Sequence, residues 1–464
     1  MKRFKKSLAL LLVVIMAVSA WGCKKDDDKT STDPTAEVTE SAAAESEEPA
    51  ASEEVSTSTE PFYIYSWNTE LEDRLQYFKD KYPEYTDRIQ YVNIGDSAIY
   101  QEKIDGLLGS PDSAEYPDLF ALEADYIKKY VNSDYTLDVA DLGITADDYA
   151  NQYAYTLTIP TNQSTGAIQA LSWQACPGSM MYRRSLAKTY LGTDEPDKVQ
   201  EFVSDWDKFF ETARTINEKS GGATKILSGN DDIVKVYLAT KTKPWVDENS
   251  VFSIDDNMLA YFDAYKTLEE EDLTNKTSQW TEQWNANCAN DSTFAYFGCT
   301  WFLHWTIKAN CGGEKVGEGT YGDWAMCQGP APYYWGGTWL AATANCSDKQ
   351  LAGLIMKTLT CDTETMNKMA DETLDYVNNK EAVQQLIDAG KGPYEFLGGQ
   401  DFLSVFSPLA ENVDVSWMSA YDQKINEQLD IQVKAYANGE KDKDAAIADF
   451  KAGVADMYPT LTVE

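Results

Sequence analysis

The chain has 464 residues, and its hydrophobic (43%) and charged (25%) fractions are those of a globular protein, so most of it can bury a core. Its 76 acidic against 39 basic residues give a formal charge of −37, which argues against nucleic acid or anionic lipid headgroups as partners. Aromatic residues reach 12%, more than a core needs, and their positions become informative below.

Residues 1–22 read as a secretion signal: Lys2, Arg3, Lys5 and Lys6 precede an apolar run from Leu8 to Ala20 that is short for a membrane span. Gly22 stands directly before Cys23, which resembles the cleavage and lipidation site of a bacterial lipoprotein. Residues 23–60 then read as the lipidated Cys23 and an acidic tether without aromatic residues up to Glu60, too polar to order itself. Loss of the leader removes four positive charges and leaves the mature chain more acidic still.

From residue 62 the pattern alternates. Strands are predicted at 62–66, 88–92 and 116–122, and helices from Glu70 to about 82, over 100–108 and from Tyr126. Such a βαβ rhythm implies a mostly parallel sheet covered on both faces, whose ligands bind beyond the carboxyl ends of strands. Trp67, Asn68 and Glu70 follow the first strand, and Glu123 and Asp125 follow the third. Further strands are expected at 166–173, 225–228, 294–297, 324–328 and 338–344. Helices are expected at 180–190, 199–219 and 255–268, from Trp301, from Ser347 (as N-cap) to 360, at 380–388, and from Asp422 and Asp444.

Trp67, Trp173, Trp301, Trp335 and Trp339 all fall near strand ends or turns, and Gly336-Gly337 lets the backbone pass close to something between two of them. A tryptophan there either packs in the core or stacks on the C–H face of a sugar ring while nearby amides and carboxylates take up its hydroxyls. Several together favour a carbohydrate or polyol cleft. The single histidine, His304, suits a packed or capping role, and without a second one a Ser-His triad or a His-based metal site is excluded. No cofactor is expected. Asp231 and Asp232 leave a glycosidase pair open. Of the seven cysteines after Cys23, Cys346 and Cys361 would sit roughly 20 Å apart across a helix, beyond disulfide reach, whereas Cys299 with Cys311 could bridge.

The leader and tether, Tyr65-Ser66-Trp67-Asn68, Pro117-Asp118-Leu119 leading to Asp125, the 294–301 segment, Gly322-Asp323-Trp324-Ala325-Met326 and Gly336-Gly337-Thr338-Trp339 together resemble the extracellular solute-binding proteins of ABC importers, in the family that includes maltose-binding protein. The resemblance implies an α/β, two-lobed periplasmic-binding-protein-like fold of class II type, with the ligand between lobes joined by several crossing segments. It places lobe 1 at 61–165 plus about 336–392, and lobe 2 at about 166–335 plus 393–464. Crossings are expected near 160–173, 333–342 and 391–399. It implies Trp67, Asn68 and Asp125 on one rim and Trp301 on the other, with Glu70 and Glu123 beside the first rim as either ligand-binding carboxylates or helix-cap or solvated residues. Trp173, Trp335 and Trp339 would stand near the hinge, and Gln400 on its glycine-rich loop. The implied partners are a carbohydrate and ABC permease subunits, for a monomer held by Cys23 at the outer face of the cytoplasmic membrane. A peptide or polyamine ligand, or a secreted glycoside-active enzyme, are the alternatives.

Overall fold

A computed structural model describes residues 56–464; the leader, Cys23 and the tether as far as residue 55 lie outside the described residues. Ser56, at the tether's end, already bonds the Arg88 and Asp348 side chains. In chain order the principal strands are β1 (Phe62–Ser66), β2 (Ile89–Asn93), β3 (Leu119–Glu123), β4 (Leu171–Ser172), β5 (Ser179–Arg183), β6 (Val251–Phe252), β7 (Ala295–Gly298), β8 (Trp324–Cys327) and β9 (Thr338–Ala342).

Two sheets organise all of them but β6, which pairs with Thr462–Val463. The first has the order β2-β1-β3-β9-β4, with β1 parallel to β2 and β3, and β9 antiparallel to β3 and β4. The second has the order β7-β5-β8 with β5 antiparallel to both neighbours. The chain therefore builds most of the first sheet, crosses to the second, and returns through β9. Because β4 belongs to the first sheet, the first crossing falls at 173–178, after the boundary at 165 drawn from sequence. These two crossings pair with each other, before a later passage of the chain returns it to the second sheet's side: the Gly178 amide donates to the Tyr333 carbonyl (2.7 Å) and the Trp335 amide to the Cys176 carbonyl (3.1 Å).

Helices cover the first sheet on both faces, which is why β1 and β3 are buried nearly throughout rather than alternating. Helix Glu70–Lys81 turns Leu71, Arg74, Leu75 and Phe78 inward at helical spacing and stops before Pro83. Helix Lys349–Thr360 lies against the turn Val139–Leu142. Gly353 allows that approach, since a Cβ there would come 2.1 Å from the Leu142 carbonyl oxygen. Helices Asp422–Ala437 and Lys443–Met457 pack with Asp256–Glu270 on the second sheet's side.

Several expected elements differ. Residues 180–190 are not one helix: β5 occupies Ser179–Arg183 at the centre of the second sheet, and a helix begins only at Arg184. Met180, Met181 and Tyr182 are wholly buried, and a short apolar run buried on both sides carries no period to separate strand from helix. The 199–219 helix is two, Pro196–Phe202 and Trp206–Lys219, divided where the Asp205 side chain accepts from the Lys208 amide. Asp348, not Ser347, caps helix Lys349–Thr360, while Ser347 bonds Asp118. The 166–173 strand shrinks to β4, and 225–228 keeps only isolated bridges. The helix from Trp301 becomes a π-helix at Leu303–Lys308, and helices Thr363–Thr373 and Phe402–Glu411 lie where none was expected. All seven described cysteines are free, so Cys299 and Cys311 do not bridge. Among the described residues no helix is long and apolar enough to cross a membrane.

Candidate ligand cleft

Between the two sheets lies a cavity of about 440 Å³. The end of β1 contributes Trp67, Asn68, Thr69 and Glu70, and the following helix adds Asp73 and Arg74. Glu123 enters from the end of β3, Gln174 from the first crossing, and Gly336, Gly337 and Thr338 from the approach to β9. The helical segment after β7 supplies Trp301, His304 and Trp305 from the far side, and Thr373 and Asp375 close the floor. Strand ends in a parallel sheet expose backbone and short polar turns together, so the site falls where the topology predicts.

The tryptophans are held rigidly. Trp67 meets Tyr100 (5.5 Å, 65°) and Tyr126 (6.2 Å, 73°) edge to face. The Trp301 indole donates to the Trp335 carbonyl (3.2 Å). Gly336, at φ +70°, makes room for it: a Cβ there would lie 3.2 Å from Trp301 Nε1 and 3.6 Å from a Glu123 carboxylate oxygen.

A buried polar network forms the floor. Glu70 Oε1 accepts from Gln174 Nε2 (2.9 Å), Trp173 Nε1 (3.3 Å) and Arg74 (3.4 Å), and Arg74 also pairs with Asp375 (3.2 Å). Burial pushes Glu70 up to about 7 and the Asp375 charge adds to it, against the pull of Arg74 and the two side-chain donors. Burial likewise pushes Glu123 up to about 8, reinforced by Asp125 and opposed by Lys235 and the Asp125 and Ala124 amides. His304 is pushed down to about 4 by burial and by Lys308; it is neutral, its ring against Tyr394 and Phe402.

Of the residues expected from sequence, the cavity brings together Trp67, Asn68, Glu70, Glu123 and Trp301. The others stand elsewhere. Asp125 turns to Lys235 (2.8 Å) and lines a small adjoining space. Trp173 is fully buried behind Glu70, and Trp339 is buried with its indole donating to the Thr156 carbonyl (2.8 Å). Trp335 is buried between Trp301 and Phe302 and supports them. Gln400 spends both ends of its amide on the Met326 backbone (2.8 Å each). Asp231 and Asp232 are no catalytic pair: Asp232 caps the Gly229 amide and takes the Trp284 indole, and Asp231 pairs with Lys434. Sequence reading missed Arg74 and Trp305, each four residues beyond a cleft residue on the same helical segment, and Asp375, which had no such signal.

The fold and this interlobe cavity define a solute-binding protein. The sequence profile of the family described as "Bacterial extracellular solute-binding protein" matches residues 75–393, and the chain belongs to that family. No curated protein matches it in sequence. Among solved structures it is similar to a family 1 extracellular solute-binding protein, with 17% identity and a TM-score of 0.73 over 86% of this chain and 99% of that one. It is also similar to the galacto-N-biose-/lacto-N-biose I-binding protein of a Bifidobacterium longum ABC transporter, in complex with lacto-N-biose (16%, TM-score 0.67, 89% and 100%). A third is the sugar-binding protein MalE of Xanthomonas citri (12%, TM-score 0.68, 86% and 97%). The two-lobed fold expected from sequence is thus the fold observed.

Proposed function

We propose that the protein captures a carbohydrate, an oligosaccharide, between its lobes and hands it to the permease of an ABC importer, as a monomer anchored outside the cell through lipidated Cys23. The observation that carries this reading is the pairing, in one cavity, of rigid Trp67 and Trp301 faces with a ring of Asn68, Glu70, Glu123 and Gln174. Indole faces suit sugar C–H surfaces, and amides and carboxylates suit hydroxyls. The Bifidobacterium neighbour is in complex with lacto-N-biose and the Xanthomonas neighbour is a sugar-binding protein, which supports the carbohydrate reading. Closure of the lobes over the ligand, rather than bond cleavage, is the functional event.

A cationic solute such as a polyamine is the second reading, favoured by one observation: Glu70, Asp73, Glu123 and Asp375 face Arg74 alone among the charged cavity residues. Thermal unfolding of residues 62–464 against mono- and oligosaccharides, amino acids, peptides and polyamines separates the two. A ligand of the folded state raises Tm in proportion to ln(1 + [L]/Kd). Stabilisation by one sugar class supports the proposal. Stabilisation by polyamines alone replaces it, and release of product from a chromogenic glycoside overturns the binding-only reading.

A further inference from the structure

Trp280 is an exposed tryptophan outside the cavity. Its side chain is about half open to solvent (52%) although its ring touches a cluster of aromatic residues. Its backbone sits at φ +68°, the left-handed region that bulky side chains avoid. One side of the ring packs on Trp284 (5.3 Å) and Phe302 (6.0 Å) while the other half stays open to solvent, and a glycine would suit the backbone better.

The ring borders the cleft. Trp280 lies nearly parallel to Trp301 (centroids 6.2 Å, 27°), whose indole lines the cavity, and rests on Trp335 (5.6 Å). Its neighbour Gln279 lines a separate open groove of about 330 Å³ shared with Asp231, Asn426 and Lys434. A small space connects the two regions, sharing Gly336 with the cavity and Asn426 with the groove. Trp280 thus borders the aromatic wall of the cavity through Trp301, and its chain neighbour Gln279 belongs to a groove rich in amide, carboxylate and ammonium groups.

We infer that Trp280 is the stacking floor of an outer subsite, over which a saccharide bound at Trp301 continues toward the Gln279 groove. The inference rests on the carbohydrate reading above and adds to it that the preferred ligand has at least three sugar units. The inner cavity of about 440 Å³ holds one or two, and Trp280 and the polar groove take those that follow.

The test is calorimetric titration with gluco-, galacto-, xylo- and manno-oligosaccharide ladders of one to five units, on the wild type, Trp280→Gly and Trp280→Tyr. Glycine accepts the backbone angle, and circular dichroism with Tm checks that each variant folds. For the ladder that binds, wild-type affinity rises beyond two units. Trp280→Gly loses about tenfold for three or more units while mono- and disaccharide affinity stays within about twofold, and Trp280→Tyr restores most of the loss. Equal losses at all lengths, or none, overturn the outer subsite and leave the carbohydrate reading standing. If no ladder binds the wild type, the carbohydrate reading falls and the subsite falls with it.

Discussion

Glu70 and Glu123 reach the cleft from the ends of different strands, and both hold their protons into the neutral range. Their folded pKa values, about 7 and about 8, lie above the ordinary 4.5, so the folded chain binds protons that the unfolded chain has released. The stability they leave intact below about pH 4.5 is then lost as pH rises through 7 and 8. Glu123→Gln should stabilise the ligand-free protein at about pH 8, on the order of 1 kcal/mol, and change little at about pH 5. Equal Tm gains at both pH values would count against the assignment. A hydroxyl that donates to either carboxylate favours its ionised form, so ligand binding should release protons near neutrality. Calorimetric enthalpies that vary with buffer ionisation heat would reveal the release. Trp301 acts differently, as a face. Trp301→Ala should weaken binding by roughly 2–3 kcal/mol while Tm of the free protein falls only slightly, as titration and melting together would show.

Strand β5 is the element on which the second sheet depends, and its start is set by a close contact. A Cβ on Gly178 would lie 2.2 Å from the Tyr333 ring, whose hydroxyl donates to the carbonyls of Ser179 (2.9 Å) and Gly298 (3.1 Å) and so ties β5 to β7. Gly178→Ala must displace that ring and should cost about 2 kcal/mol in urea unfolding; an unchanged midpoint would mean the crossing yields. This element was also the hardest to read from sequence, because Ser179–Arg183 is buried on every residue and offers neither alternation nor a helical face. The first sheet was legible for the opposite reason. Its strands alternate with helices bearing clear signals, such as the Leu71, Leu75 and Phe78 face of Glu70–Lys81 and Pro83 after it. Trp67, Asn68 and Glu70 were legible with it, since a strand end fixes where they project. Asp375 was not: it follows Leu374, which ends its helix at φ +61° without the glycine that usually marks such an end.

Across the whole molecule, the Asp125–Lys235 pair is a tie between lobes. Asp125 follows β3 of the first sheet, Lys235 lies on helix Val234–Leu238 beside the second, and two bonds of 2.8 Å join them. The Asp125 side chain is half exposed (52%), so the pair is worth about 1 kcal/mol and weakens with salt. That is small for folding but not for an equilibrium between open and closed states, where 1 kcal/mol shifts the ratio about fivefold. Lys235 also opposes the rise in the Glu123 pKa that burial and the Asp125 charge produce. Lys235→Met removes both effects at once. The ligand-free variant should populate more open molecules and show a larger radius of gyration in small-angle scattering. Ligand should return it to the wild-type value, with affinity reduced about fivefold, mostly through faster release. High salt should reproduce part of the change in the wild type and little in the variant. Scattering identical to wild type at low salt would reduce the pair to an ordinary surface bridge, and closure would then rest on the ligand alone.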